Sequence, residues 1–303
     1  MENILEYLND EIKDKILFYG KIEKITELRL RNKRKLIINY GTYDVVTDYI
    51  VDTKDILDIL LKVSERSLYS IQNEINNGFV TIKGGHRIGI CGEVVMQNDK
   101  IKNIKNINSM NIRIAKEVKG CGENVYPYIL EDGKFTNTLI VSPPGCGKTT
   151  LLRDLVRIFS LKNNIGVVDE RGEIASVYHG EASLDVGDRT DILSNCTKSQ
   201  GMKMLTRTMG VDIIATDEIG TEKDIEAIKE AEISGVNLML TMHGNSISDI
   251  ANNKEMAALL NRGAFKNVII LSKENMPGHI KKIYKQKELG LFDEVELWLY
   301  FLK

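Results

Sequence analysis

The apolar run Thr138-Leu139-Ile140-Val141 breaks into Ser142-Pro143-Pro144-Gly145-Cys146-Gly147-Lys148-Thr149-Thr150 and then into the helical pattern Leu151-Leu152-Arg153-Asp154-Leu155-Val156. A strand, a glycine-rich turn and a helix start, in that order, leave few folds open. Backbone N–H groups of the turn and of the first helical residues converge on one point and make a phosphate cradle. In such a cradle the Lys148 ammonium reaches β- and γ-phosphate oxygens and the Thr149 hydroxyl coordinates Mg²⁺. Ser142 through Thr150 therefore reads as a Walker A loop, with Ser142 in the first glycine position of G-x-x-x-x-G-K-[ST]. Serine fits there if its φ stays negative. The competing reading is a chance glycine-rich turn, for which the flanking strand and helix are coincidence.

A chain of 303 residues has room for about two domains, each with its own core. Apolar content of 43% and charged content of 28% are ordinary for a globular protein. No run approaches the roughly 18 apolar residues of a membrane span, and Met1-Glu2-Asn3 does not open a signal pattern. The expectation is a cytosolic protein. Cys91, Cys121, Cys146 and Cys196 form no C-x-x-C pair, so reduced thiols are expected. Cys146, beside Lys148 and a helix start, is expected to favour its thiolate and to be open to thiol reagents; the alternative is an inert thiol tolerated between glycines. Residues 1–120 carry 20 Lys and Arg against 17 Asp and Glu, a charge of +3 that leaves −5 for residues 121–303. Neither value argues for nucleic acid, and none is expected as a partner.

Periodicity divides the chain into a smaller mixed α/β domain over 1–119 and a second domain over 120–303, with the boundary in the glycine-punctuated stretch 117–122. In the first domain, Ile4 to Phe18 has helical spacing, and Ile25 to Leu30 and Lys35 to Tyr40 alternate like strands. A helix from Thr53 to Val63, capped by the Thr53 side chain, and another over Leu68 to Ile75 follow. Phe79 to Lys83 and Arg87 to Val95 read as strands joined at Gly84-Gly85. The second domain alternates strands (137–141, 165–169, 212–216, 236–241, 266–271) with helices (149–160, 199–209, 221–234, 254–262). That rhythm predicts a mostly parallel sheet with helices on both faces and its ligand at the C-terminal strand ends. Alternation from Ile280 to Phe301 suggests antiparallel edge strands.

Val211-Asp212-Ile213-Ile214-Ala215-Thr216 is an apolar strand ending in Asp217-Glu218. Asp217 stands where a Walker B acid steadies Mg²⁺, indirectly through water or by helping to orient Thr149, and Glu218 can serve as general base toward water. Glu170, at the end of the strand Val167-Val168-Asp169, is a second candidate carboxylate; the alternative is an acidic helix N-cap shared with Glu173. His243, ending Leu240-Thr241-Met242, is placed to sense the γ-phosphate. An arginine on the transferring phosphoryl group can be worth about 10³ to 10⁵ in rate. Spacing alone leaves Arg207, Arg171, Arg189, Arg87 and Arg113 open.

With these motifs in order, the chain resembles the stage III sporulation protein AA family, relatives of the type II and type IV secretion ATPases. The resemblance rests on Gly84-Gly85-His86-Arg87-Ile88-Gly89-Ile90-Cys91-Gly92, Asn111-Ile112-Arg113-Ile114-Ala115, Ser142 through Asp154, Val168-Asp169-Glu170-Arg171, Gly201-Met202 through Arg207, Asp217-Glu218-Ile219-Gly220 and Thr241-Met242-His243-Gly244. It implies a RecA-like P-loop ATPase core behind an N-terminal α/β domain, using ATP and Mg²⁺. A homo-hexameric ring is further implied, peripheral on the cytoplasmic side of a membrane and joined to stage III sporulation channel proteins between mother cell and forespore. By the same resemblance Glu170 falls on the acidic box and His243 on the histidine box. Arg87 and Arg113 become the preferred phosphate-contacting arginines.

ATP is favoured over GTP because Asn253-Lys254-Glu255-Met256 lacks the Asp of an N-K-x-D guanine motif. Two other functions share the core: a nucleic-acid-dependent motor, which needs a basic channel, and a nucleotide-gated scaffold with negligible turnover.

Overall fold

The computed structural model describes residues 2–65, 67, 71–273, 278–286 and 292–295. They form two compact units. The first comprises Met1–Lys116 with Ser176–Ser183 and the second Glu117–Ala175 with Leu184–Lys303, so the chain passes between units three times.

The first unit contains α1 (Glu2–Leu5), α2 (Asp10–Tyr19), β1 (Glu27–Arg31), β2 (Arg34–Asn39), β3 (Asp44–Val51), α3 (Thr53–Val63), α4 (Gln72–Asn76), β4 (Phe79–Ile82), β5 (His86–Gln97) and β6 (Lys100–Arg113). The strands make one antiparallel sheet in the order β3-β2-β1-β6-β5-β4. Successive side chains alternate between faces. Leu28, Leu30, Ile88, Ile90, Met110 and Ile112 are thereby buried together with Ile12, Ile16, Ile56 and Ile59 of the helices. The other face carries charge: Arg87 pairs directly with Arg113, and Arg113 with Glu27.

Local side-chain chemistry moves three boundaries from where periodicity puts them. The single helix expected from Ile4 to Phe18 is two, because the Asn9 side chain accepts the Ile12 amide at 2.8 Å and caps a new start. Asp52, not Thr53, caps α3: its carboxylate accepts the Asp55 amide at 3.0 Å while the Asp55 carboxylate accepts the Asp52 amide at 2.8 Å. This reciprocal pair satisfies two orphan donors at once, which a threonine one position later cannot do. Of the helix expected over Leu68 to Ile75, α4 begins only at Gln72, and Leu68, Tyr69 and Ser70 lie outside the described residues. The hairpin at Gly84-Gly85 stands as expected, with φ of +87° and +73° that favour glycine.

The second unit opens with a short hairpin, β7 (Leu130–Glu131) and β8 (Lys134–Phe135), followed by β9 (Thr138–Ser142), α5 (Lys148–Phe159) and β10 (Ile165–Asp169). An excursion then forms β11 (Val177–Tyr178) and β12 (Glu181–Ala182), turning at His179-Gly180 and belonging to the first unit. There the Tyr178 hydroxyl donates to Glu65 Oε1 at 3.1 Å. Back in the second unit come β13 (Thr190–Ser194), α6 (Lys198–Thr208), β14 (Ile213–Thr216), α7 (Glu222–Ile233), β15 (Asn237–His243), α8 (Ile247–Ala251), α9 (Lys254–Asn261), β16 (Asn267–Ser272), β17 (His279–Gln286) and β18 (Phe292–Val295).

The eight-stranded sheet runs β13-β10-β14-β15-β9-β16-β17-β18. Pairing is parallel from β13 to β16 and antiparallel at β17 and β18. Leu139, Val141, Val168, Ile214, Leu238 and Leu240 bury one face with residues of α6, α7 and α9. The alternate residues, Ile140, Val167, Ala215 and Met239, are equally buried, and α5 packs along β9 and β15 outside that first cluster. Helices therefore cover both faces, as a parallel sheet requires. The residues 287–291 and 296–303 of the expected C-terminal strands lie outside the described residues.

Candidate functional site

β9 delivers the chain to the loop at the C-terminal edge of the parallel sheet, where such folds bind ligands. Ser142 is buried and ends β9 outside the left-handed region, meeting the condition for a serine in the first glycine position. Gly145 and Gly147 take φ of +70° and +83°, so the loop turns through conformations that side chains avoid. Gly147 is the N-cap of α5 and makes no side-chain cap bond, leaving first-turn N–H groups for another acceptor. Gly278 donates its amide to Cys146 O at 2.8 Å and braces the loop from outside. Pro143, Pro144 and Thr150 complete it, with Thr150 already in α5. Cys146 is fully buried with its Sγ 3.9 Å from Pro144 O. The expected access of thiol reagents is thus corrected: the loop folds over its own thiol.

Lys148 and Thr149 both meet the end of β14. Lys148 Nζ, 9% exposed, lies 2.6 Å from Glu218 Oε1. Thr149 Oγ1 donates to Asp217 Oδ2 at 2.6 Å. The Thr241 hydroxyl, on neighbouring β15, ties the acidic pair together: it donates to Asp217 Oδ1 and accepts the Glu218 amide at 2.9 Å. Glu218 itself sits at φ +53°, a left-handed conformation that costs a non-glycine residue and persists only where surroundings fix it. Arg171 Nη1 reaches Glu218 Oε2 at 2.6 Å. The Lys148 hydrogen bond above all, against the opposing effect of burial and with help from the charges of Lys148, Arg171 and Lys198, holds the Glu218 carboxyl below the usual glutamate range.

No helix follows β10, so the acidic N-cap alternative for Glu170 does not arise. Instead the buried Asp169 carboxylate accepts amides of Glu173, Ile174 and Ala175 at 2.8, 3.1 and 2.8 Å. Arg153 of α5 donates to the carbonyls of Ile174 and Glu173, each at 2.6 Å. Glu170 pairs with Lys198 at the start of α6. It borders two cavities: one with Asp217 and Glu218, and one of about 800 Å³ between the starts of α6 and α7. His243 is exposed, with Nδ1 3.1 Å from Ser142 O, at the entrance of the loop. Arg207 is 72% exposed and lies 3.7 Å from Glu230, away from the loop.

In the first unit Arg113 Nε lies 3.6 Å from Glu27, and the Arg87 guanidinium stacks 4.4 Å from the Phe79 ring centroid. Sequence reasoning missed Thr241 and Lys198. Thr241 stood inside a motif already singled out, one strand over from Asp217, while nothing in the sequence around Lys198 pointed to Glu170.

Hard oxygen donors from Thr149 and Asp217, next to a buried cation at a cradle of free amides, fit Mg²⁺ and a polyphosphate. Among the described residues no group of three or more His, Cys, Asp or Glu is arranged to hold a metal. Mg²⁺ needs none, since it takes most of its ligands from water and phosphate.

Comparison with known proteins agrees with this architecture. The stage III sporulation protein AA of Bacillus subtilis is 36% identical over 292 residues, covering 94% of this chain and 95% of the relative. Among solved structures, the Yersinia pseudotuberculosis ATPase DotB superposes with a TM-score of 0.57 at 13% identity, over 93% of this chain and 77% of that one. The pilus retraction motor PilT, solved with ADP, superposes with a TM-score of 0.56 at 16% identity, over 84% of this chain and 76% of that one. These likenesses show the RecA-like fold of secretion ATPases. The family description "Sporulation stage III, protein AA" matches residues 1–291, and the chain belongs to that family.

Proposed function

We propose that this chain is an ATPase of the secretion-ATPase type, acting peripherally at a membrane to power or gate a channel between mother cell and forespore. The observation that carries the reading is the contact of Lys148 and Thr149 with Glu218 and Asp217: the cation and hydroxyl of the loop meet both acids of the adjacent strand end. In this reading Lys148 swings from Glu218 onto β- and γ-phosphate oxygens, and main-chain amides from Ser142 to Thr150 hold the remaining charge. Thr149 and Asp217 would hold Mg²⁺, which would supply charge neutralisation to the phosphates. Glu218, released by Lys148, accepts a proton from the attacking water. Glu170 orders water beside it, His243 reports the γ-phosphate, and Arg87 and Arg113 supply positive charge to the transferring group.

The test is Glu218→Gln, which removes the base and keeps the shape. Turnover should fall about 10²- to 10⁴-fold while ATP affinity stays within a few-fold of the parent. Hydrolysis at the parent rate would remove Glu218 from the role, and absence of ATP binding by the parent would remove the reading altogether.

A further inference from the structure

We infer that Arg171 is a positioning residue that holds the Glu218 carboxylate in place once nucleotide has drawn Lys148 away. The inference rests on the ATPase reading above and adds a residue to it. Glu218 is gripped at both carboxylate oxygens, Oε1 by Lys148 and Oε2 by Arg171, each at 2.6 Å. A phosphate-binding lysine cannot stay on Glu218 when a triphosphate enters. Arg171 is then the remaining ion-pair partner of Glu218 among the described residues.

The backbone under Glu218 is already tied at two points. Its amide bonds the Thr241 hydroxyl at 2.9 Å, and the next amide, of Ile219, bonds Thr241 O at 2.9 Å. What is left to fix is the side chain, whose torsions let the carboxylate sweep through several ångströms. A misplacement of about 1 Å at a reacting group can cost about 10²-fold in rate.

Arg171 is presented rigidly enough for the task. The turn that carries it is pinned on both sides, by the Asp169 carboxylate on amides of residues 173 to 175 and by the Arg153 guanidinium on the carbonyls of Glu173 and Ile174. Its neighbour Glu170 is anchored by Lys198. The alternative, that Arg171 contacts phosphate itself, would strip Glu218 of both cations at the moment it must be aligned.

Steady-state ATPase rates, binding of a fluorescent ATP analogue and melting temperatures of the full chain test this. The variants are R171A, R171K, E218Q and the double variant R171A/E218Q. The Arg171 side chain is 62% exposed, so R171A should fold with a melting temperature near that of the parent. We expect R171A to lower kcat by about 10- to 100-fold with analogue Kd within about twofold, R171K to restore most of the loss, and R171A to add nothing in the E218Q background. Weakened analogue binding with kcat unchanged would overturn the inference in favour of a phosphate contact, and losses that multiply in the double variant would overturn it in favour of an independent role. Parent-like turnover of E218Q alone would instead fail the base assignment beneath it, an outcome distinguishable from both.

Discussion

His86 is 4% exposed, accepts the Ala115 amide on Nδ1 at 3.0 Å, and has its pKa pushed down to about 4 by burial. An unfolded histidine titrates near 6.5. Between these values the unfolded chain binds the proton and the folded chain does not, so stability is full above about pH 6.5 and declines as pH falls toward 4, by about 3 kcal/mol at most. Melting temperatures of the parent should drop across that window more steeply than those of His86→Gln, whose amide nitrogen or oxygen cannot take up the proton; parallel curves would discount the histidine. At this scale the sequence was most legible where chemistry fixes spacing. Lys148 and Thr149, and Asp217 and Glu218 some 69 residues later, meet in space as their order suggested. It was least legible for Cys146, because adjacency to Lys148 in the chain says nothing of which way a thiol points, and for Lys198, whose contact with Glu170 exists only after β10 and α6 are side by side.

Among elements, α6 depends on a missing side chain. A Cβ on Gly201 would lie 2.5 Å from Val168 Cγ1 and 3.1 Å from Cys196 Sγ, so the helix approaches β10 as closely as it does because position 201 is glycine. Gly201→Ala would gain about 1 kcal/mol of helix propensity and lose about 1–3 kcal/mol to overpacking against a stiff β-branched neighbour. We expect the second to win, with a lower melting temperature; a rise would mean that α6 can move outward freely. Elements of the second unit were readable since strands buried on both faces are continuous apolar runs, as in Ile165–Asp169 and Asn267–Ser272. The strand β13, Thr190–Ser194, is hard to read because an edge strand whose apolar part is only Ile192-Leu193, both half-buried, has no such run. β6 hid for a related reason: Ile101, Ile104 and Ile107 recur every third residue among Lys and Asn, which breaks the two-residue alternation of a strand and resembles a polar loop.

For the molecule as a whole, the proposed ring would bring the +3 of residues 1–120 of one copy toward the −5 of the rest of another, a salt-sensitive attraction. Sedimentation with a non-hydrolysable ATP analogue should show a ring-sized assembly that is reduced without it and at high salt. A single mass under all conditions would argue for a chain that works alone. The path of the chain has its own consequence. Because Ser176–Ser183 belongs to the first unit although it is encoded in the middle of the second, one incision near residue 117 leaves Ser176–Ser183 attached to the second unit. A gene fragment starting there would express the second unit with a stranded hairpin, Tyr178 deprived of Glu65. Such threading means that any cut between the two parts leaves a piece of one fold attached to the other.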